Sequence, residues 1–306
     1  MIEAYLAEKD ITKGTLDLYR TILKQYTSYL TTHRVLHAKT RDVVNYLAWK
    51  KDQGYSTRWM YNQISAIKGF YRYLKRNQTR LGLPVEYAHD ITESIKNVRI
   101  KKGLSKPVLT IEQAKHIILT TKDSRKHIWH YRDHALVYLM ITTGLRSVEL
   151  RRARRKDLKT INNQPVLYVQ GKGRRLADDF VKIPPGVEAA IKDYLERRKD
   201  KNPYLFVSHS YHTDKPYLSR TFFVRMIKRV LKDSGLENTG ITTHSLRHTA
   251  ATLNLLRGGS LESTKKLMRH QSLATTLIYA HHIERINDDS ENQVERYILN
   301  EEVFRI

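Results

Sequence analysis

Residues 244–279 read HSLRHTAATLNLLRGGSLESTKKLMRHQSLATTLIY. The segment starting at His244 is apolar-periodic and predicts a helix, on which His244 and Arg247, at i and i+3, share a face and can act together on one anion. Gly258-Gly259 breaks that helix. His270 is then expected in a separate short helix, and Tyr279 near the end of the next. Several helices must converge on one point, so the fold expected is mainly α.

Bulk properties indicate what that point binds. The 306-residue chain is 40% hydrophobic, enough to bury a sizeable core, most simply in two domains. Its 55 Lys and Arg against 31 Asp and Glu give a formal net charge of +24, which favours a polyanion, nucleic acid first. The opening MIEAYLAEKD carries neither a basic amphipathic helix nor a lipidation signal. With no apolar run near about 18 residues and no signal peptide, a soluble, cytoplasmic protein with no membrane partner is expected. The absence of cysteine excludes disulfides, cysteine-ligated zinc and thiol catalysis.

Residues 1–97 read as a helical domain. Gly14–Leu30 carries Leu16, Tyr19, Leu23, Tyr26 and Leu30 on one buried face, and a second helix fits Thr40–Lys50. Ser56 caps a third, running to about Arg76, with Met60, Ile64, Ile67, Phe70, Tyr71 and Leu74 on its apolar side. Its other face holds Arg58, Lys68, Arg72, Lys75 and Arg76. Those cations can track a phosphate backbone by releasing counterions, or simply keep a helix face solvated. Through Leu104 the chain has 19 basic and 9 acidic residues.

Asn97–Pro107, NVRIKKGLSKP, is basic and broken by Gly103 and Pro107. Residues 98–107 are therefore read as a linker, with Lys101 and Lys102 lying across DNA that both domains grip. In the second domain, 108–282, a Thr110–Gln113 capping box opens a helix to about Thr121. The helix from about Tyr131 to Thr143 is apolar enough to be central in the core and stops at Gly144. Arg146 emerges there, and a short helix Ser147–Arg152 puts Glu149 three residues on, where a bidentate pair can orient the guanidinium. The run RRARRKDLK at 151, Arg152 included, reads either as a solvated face or as phosphate contact, and its place directly after Arg146 favours phosphate contact.

Between Asp157 and Ile183 the period changes to that of strands. Val166–Gln170 and Asp179–Ile183, with turns at Asn162–Pro165 and Gly171-Lys172-Gly173, predict a small antiparallel sheet. Lys172 then sits at a turn from which it can reach a groove and donate a proton. GKG alone lacks the spacing of a phosphate loop and also reads as an exposed turn. Further on, Val187–Lys199 predicts a helix, Leu205–Ser208 a short strand and His209–Pro216 a solvent-facing loop. Ser219 caps a helix to about Ser234 whose Arg220, Arg225, Lys228 and Arg229 form a DNA-facing surface.

TGLRSVEL at 143–150, the GKG turn at 171, HSLRH at 244 and LMRHQSLATTLIYAHH at 267, in that order, resemble the tyrosine recombinase family of phage and transposon integrases and Xer recombinases. The resemblance covers residues 110–282, and the helical N-terminal part is similar to the family's core-binding domain. It implies a mainly-α protein with a helical core-binding domain and an α+β catalytic domain with a small antiparallel sheet. The implied activity is site-specific recombination, for integration, excision, inversion or resolution of a DNA element. The implied assembly is a homo-tetramer on two double-stranded DNA target sites, working through a Holliday junction, without metal or other cofactor, and with or without an accessory directionality factor. Matched motif by motif, the catalytic residues are Arg146, Lys172, His244, Arg247, His270 and Tyr279, with Glu149 behind them. Met268-Arg269 stands where many relatives have Leu-Gly, a change in backbone freedom that removes no catalytic group.

Cleaving a phosphodiester without a metal requires a nucleophile, charge stabilisation and an acid for the leaving oxygen. On the resemblance, Tyr279 attacks phosphorus and keeps the bond as a 3′-phosphotyrosine ester. Arg146 and Arg247 clamp the nonbridging oxygens, His244 takes the phenolic proton, Lys172 protonates the departing 5′ oxygen, and His270 bonds a phosphate oxygen. His244 and His248 have the i, i+4 spacing of helical zinc pairs, but position 245 is Ser and Arg247 between them repels a cation. A type IB topoisomerase shares the residue logic, although the two-domain size and the GKG hairpin suit a recombinase better. A DNA-binding regulator would have no need of Tyr279.

Charge sets the tail apart: residues 281–306 hold 3 basic and 7 acidic residues, against 33 and 15 for 105–280. Within the tail, 283–306, Asn292–Phe304 carries Val294, Tyr297, Ile298 and Val303 and predicts an amphipathic helix. Either it packs on its own domain or, as the resemblance implies, it is exchanged between protomers.

Overall fold

The computed structural model describes residues 1–100, 107–171, 177–209, 217–270 and 272–299, with backbone alone for 281–287. Packing divides the chain into two units, Met1–Lys102 and Gly103–Ile306. The fold is mainly helical with one small sheet.

The first unit holds α1 (Ile2–Ala7), α2 (Lys13–Thr32), α3 (Thr40–Asp52) and α4 (Thr57–Arg76). Ser56 Oγ accepts the Trp59 N–H and starts α4. Its apolar stripe, from Met60 through Ile64 and Ile67 to Leu74, meets Leu23 and Tyr26 of α2 and Val43 and Tyr46 of α3 in one core. Helix α1 is too short to reveal itself by periodicity, yet Tyr5 and Leu6 are buried in that core. A Cβ on Gly69 would lie 2.3 Å from Tyr5 Oη, so glycine is what lets α1 seat on α4.

The second unit is built around α6 (Ile128–Thr143), whose Leu136, Val137, Leu139 and Met140 are fully buried. At roughly 1.5–3 kcal/mol for each large side chain taken from water, this helix anchors the unit. Around it pack α5 (Ile111–Asp123), α8 (Pro185–Glu196), α9 (Arg220–Asp233) and α10 (Thr243–Leu256), and α7 (Ser147–Arg152) follows its end. Helices α11 (Leu261–Met268), α12 (Ala274–Asn287) and α13 (Ser290–Ile298) complete the described chain.

Strands β1 (Leu158–Ile161), β2 (Gln164–Val169) and β3 (Asp179–Lys182) pair antiparallel in sequence order. Leu167 stands opposite both Leu158 and Val181. The Asn162–Asn163 turn, both residues at positive φ, is preceded by β1, whose four residues are too few for a strand period to show in the sequence.

Leu205–Ser208 is not a strand. Its neighbour Tyr204 makes an isolated bridge to Arg154. The carbonyls that a ladder would use are taken by guanidiniums instead: Arg198 Nη1 donates to Tyr204 and Leu205, and Arg132 Nη1 to Val207 and Ser208. His209 is half-buried with Nε2 2.8 Å from Tyr194 Oη, so it does not face solvent as expected.

Candidate active site

Helix α6 ends at Gly144, whose backbone is left-handed at φ +62°. A Cβ there would come within 2.8 Å of Met268 Sδ and 3.3 Å of Ala250 Cβ, so only glycine lets the chain turn this close to α10 and α11. The turn aims Arg146, at the start of α7, into a cavity of about 470 Å³. Arg247, His244 and His248 reach the same cavity from α10, His270 from the bend after α11, Tyr279 from α12 and Asp179 from β3.

Arg247 is 2% exposed, and its guanidinium donates to the carbonyls of Gly144 and Met268. Burial, then the neighbouring Arg146 and Arg269, push its pKa down, yet a guanidinium stays charged. The result is a fixed cation under the cavity. Arg146 is held differently. Its Nη1 donates to Glu149 Oε1 at 2.9 Å, while its own backbone N–H donates to Glu149 Oε2 at 2.7 Å. This is not the bidentate fork expected, because Oε2 also receives Arg269 Nη2 at 2.8 Å. Glu149 is 1% exposed; burial raises its pKa, but Arg269 and the hydrogen bonds from Arg146 outweigh that and keep it ionised.

The Tyr279 hydroxyl hydrogen-bonds His248 Nδ1. Burial raises the phenol's pKa despite Arg247 and Arg146 nearby, so the Tyr279 hydroxyl rests protonated and could attack only by giving its proton to an acceptor. His248 touches it, and His244 packs edge-on against His248 at 4.4 Å between centroids. His270 Nδ1 lies 3.0 Å from Thr276 Oγ1, and its ring lies parallel to that of Tyr279. Burial, then Arg247, Arg146 and Arg269, depress the His270 pKa to about 4, so it is neutral at pH 7.

The cavity thus brings together Arg146, Glu149, His244, Arg247, His270 and Tyr279. Lys172, Lys101 and Lys102 lie outside the described residues. Two positions differ from expectation. His270 is not inside a helix but follows the residue that ends α11, and Tyr279 sits in the second turn of α12 rather than near its end.

Of the expected phosphate contacts, Arg58, Arg72 and Lys75 are exposed on α4, and so are Arg152, Arg220 and Arg225 in the second unit. Lys68 is different: its Nζ donates to the Ile95 carbonyl at 2.5 Å and tethers the chain after α4, which removes it from a free basic face. Arg151, in the run after Arg146, likewise donates to the Leu218 carbonyl at 2.7 Å. A second cavity of about 450 Å³, lined by Arg146, Arg151, Arg220, Lys228, His244 and Arg247, continues the basic surface onto α9.

Sequence reasoning missed two groups. His248 reads from the sequence as half of a metal pair, yet its i, i+4 relation to His244 puts the two imidazoles on one helix face. Arg269 reads from the sequence as a replacement for glycine. It caps α11 in the left-handed region at φ +50°, roughly 1–2 kcal/mol unfavourable for a residue with a Cβ, while its guanidinium is buried against Glu149.

Among known families, residues 107–285 match the phage integrase family, and residues 2–78 match the phage integrase N-terminal SAM-like domain. Tyrosine recombinase XerA of Pyrococcus furiosus is 31% identical over 277 residues, covering 90% of this chain and 86% of the relative. Among solved structures, the XerH site-specific recombinase bound to palindromic difH substrate, in its post-cleavage complex, shares the fold with a TM-score of 0.74 at 20% identity, covering 92% of this chain and 80% of that one. A lambda integrase tetramer bound to a Holliday junction shares it with a TM-score of 0.63 at 18% identity, covering 90% and 74%.

Proposed function

This chain belongs to the phage integrase family and is a tyrosine-type site-specific recombinase, and from that premise we propose that it cuts and rejoins duplex DNA at the cavity around Tyr279. The observation that carries the assignment is the meeting, in one cavity, of a protonated phenol, the guanidiniums of Arg146 and Arg247, and the imidazoles of His244, His248 and a neutral His270. The Tyr279 oxygen attacks phosphorus, its proton passes to an imidazole, and the bond to the 5′ oxygen breaks, leaving a 3′-phosphotyrosine ester. A 5′ hydroxyl attacking that ester reverses the step and rejoins the strands. Arg247 and Arg146 stabilise the negative charge that builds on the nonbridging oxygens.

His248, hydrogen-bonded to the phenol, takes its proton, and His244, packed against His248, holds it and the phosphate. Neutral His270 donates from its outer nitrogen to a phosphate oxygen. Lys172, on the β2–β3 connection, supplies the proton for the 5′ oxygen. These groups give the reaction its acid, base and charge clamp without a cofactor. DNA is held by the exposed cations of α4 and α9, with the 98–107 segment as linker between a core-binding and a catalytic domain.

The protein acts as a tetramer on two target duplexes and passes through a Holliday junction, with or without an accessory directionality factor. Helix α13 supports an exchanged tail: Val294, Tyr297, Ile298 and Leu299 are all more than half exposed on their own chain, an apolar stripe suited to a neighbouring protomer. No helix among the described residues is long and apolar enough to cross a membrane.

The test is a nicked duplex carrying the recombination site, selected from random-sequence DNA by binding. Wild type should form a covalent adduct that Tyr279→Phe does not. No adduct would return the protein to the class of DNA-binding regulators. Adducts on any sequence, with rapid relaxation of supercoils, would make it a topoisomerase.

A further inference from the structure

Arg269 has no part in the chemistry assigned above, yet it lines the same cavity. As the residue that ends α11 it adopts a left-handed backbone that glycine takes without strain. The chain nevertheless places a long cation there. Its side chain is 8% exposed and meets a carboxylate that is 1% exposed. That carboxylate, Glu149, is shared: the Arg146 side chain on its other oxygen is 32% exposed. One partner is enclosed and the other opens onto the cavity.

We propose that Arg269 is a positioning residue, the resident counter-ion of Glu149 that frees the Arg146 guanidinium to engage the scissile phosphate. The inference rests on the reading of Tyr279 and Arg146 given above. A phosphate arriving in the cavity competes with Glu149 for Arg146. If Arg146 were the carboxylate's only cation, turning toward DNA would strand a buried negative charge, and Glu149 would hold it back. Arg269 stays paired with Oε2, so the carboxylate remains neutralised while the Arg146 side chain changes partner. The Arg146 backbone N–H, also on Oε2, keeps the residue anchored through the exchange. A helix stop alone does not explain Arg269, since glycine stops a helix better.

The experiment compares wild type, Arg269→Gly, Arg269→Lys and Tyr279→Phe in single-turnover cleavage of the nicked duplex, with DNA affinity and melting temperature measured in parallel. Arg269→Gly relieves the backbone, so its melting temperature should hold and its DNA affinity should change little. Its cleavage rate constant should fall about 10- to 100-fold, the scale of losing a partner that orients an active-site ligand. Arg269→Lys should recover part of that rate, because an ammonium still neutralises Glu149. Cleavage by Arg269→Gly at the wild-type rate would overturn the proposal. So would a lowered melting temperature with cleavage and DNA binding falling together and no recovery in Arg269→Lys, the pattern of a structural brace. If wild type itself formed no Tyr279-dependent adduct, the reading of the site would fail first and this proposal with it.

Discussion

Of the guanidiniums that line the cavity, those of Arg247 and Arg146 are held by opposite means. Arg247, on α10, is buried and donates to two main-chain carbonyls, groups that carry no net charge and cannot swing away. Arg146, beside α7, is a third exposed and leans on a carboxylate shared with Arg269. The α10 side is a fixed floor, and the α7 side an adjustable wall. Fixed donors aimed at developing charge need no reorganisation when it appears. An adjustable donor can follow the phosphate oxygens as the bonds to phosphorus exchange, provided that its own anchor stays satisfied.

Removing the floor should have the largest effect. Arg247→Ala is expected to slow cleavage by about 10³-fold, at the upper end for losing one preorganised donor. It should also lower the melting temperature, since each carbonyl left unpaired in a buried site is unfavourable by roughly 1–3 kcal/mol. Arg247→Lys should not rescue, because a point-like ammonium does not span both carbonyls, whereas Arg146→Lys on the adjustable side should keep more activity. Equal losses for the two lysine variants would erase the distinction between floor and wall.

The floor also carries the proposed proton acceptor, His248. His248→Ala is expected to slow cleavage about 10²-fold and to shift the pH–rate profile, and to do so more than His244→Ala, because His248 hydrogen-bonds the phenol. The reverse order would return the base to His244. On the adjustable side, Glu149→Gln should slow cleavage about tenfold, since an amide still bonds Arg146 but no longer balances two cations. Its melting temperature should fall as well, because Arg269 would be left buried beside a neutral partner. A Glu149→Gln variant with wild-type cleavage would mean that the wall needs no adjustable anchor.

The same contrast marks how far the sequence could be read. The fold was legible where side chains repeat with helical period over several turns, as in α4 and α6, or where a cap announces a start, as at Thr110 and Ser219. Short α1 offers too few turns for a period, and β1 is a single short edge of a hairpin. The expected strand at Leu205–Ser208 failed because two buried arginines claim its carbonyls, and no local pattern shows where a distant guanidinium will land. In the site, residue types and order pointed to Arg146, His244, Arg247, His270 and Tyr279. What was not legible is which group touches which. The His248 contact with Tyr279 joins residues on two helices, and the Arg269 contact with Glu149 spans most of the second unit.

The smallest expected effect is on acid stability, and it tests whether floor and wall act on one electrostatic site. His134, His209 and His270 all have pKa values depressed to about 4 in the folded protein, for each of them by burial first. An unfolded histidine titrates near about 6.5. Folding therefore favours the neutral rings, so their contribution is complete above about pH 6.5 and is lost as the pH falls toward about 4. For His270 the next causes are Arg247, Arg146 and Arg269, cations from both sides, whereas for His134 they are Arg125 and Lys122. Arg146→Ala should thus bring the His270 pKa closer to its unfolded value and leave His134 unmoved. Its melting temperature should decline less steeply than that of wild type from about pH 8 to about pH 4, with an upward shift in the His270 imidazole titration followed by NMR. A His270 that titrates near its ordinary value in wild type, or that ignores Arg146→Ala, would mean that the cations of the wall do not reach the imidazole beside Tyr279. Floor and wall would then be two neighbouring features rather than one clamp.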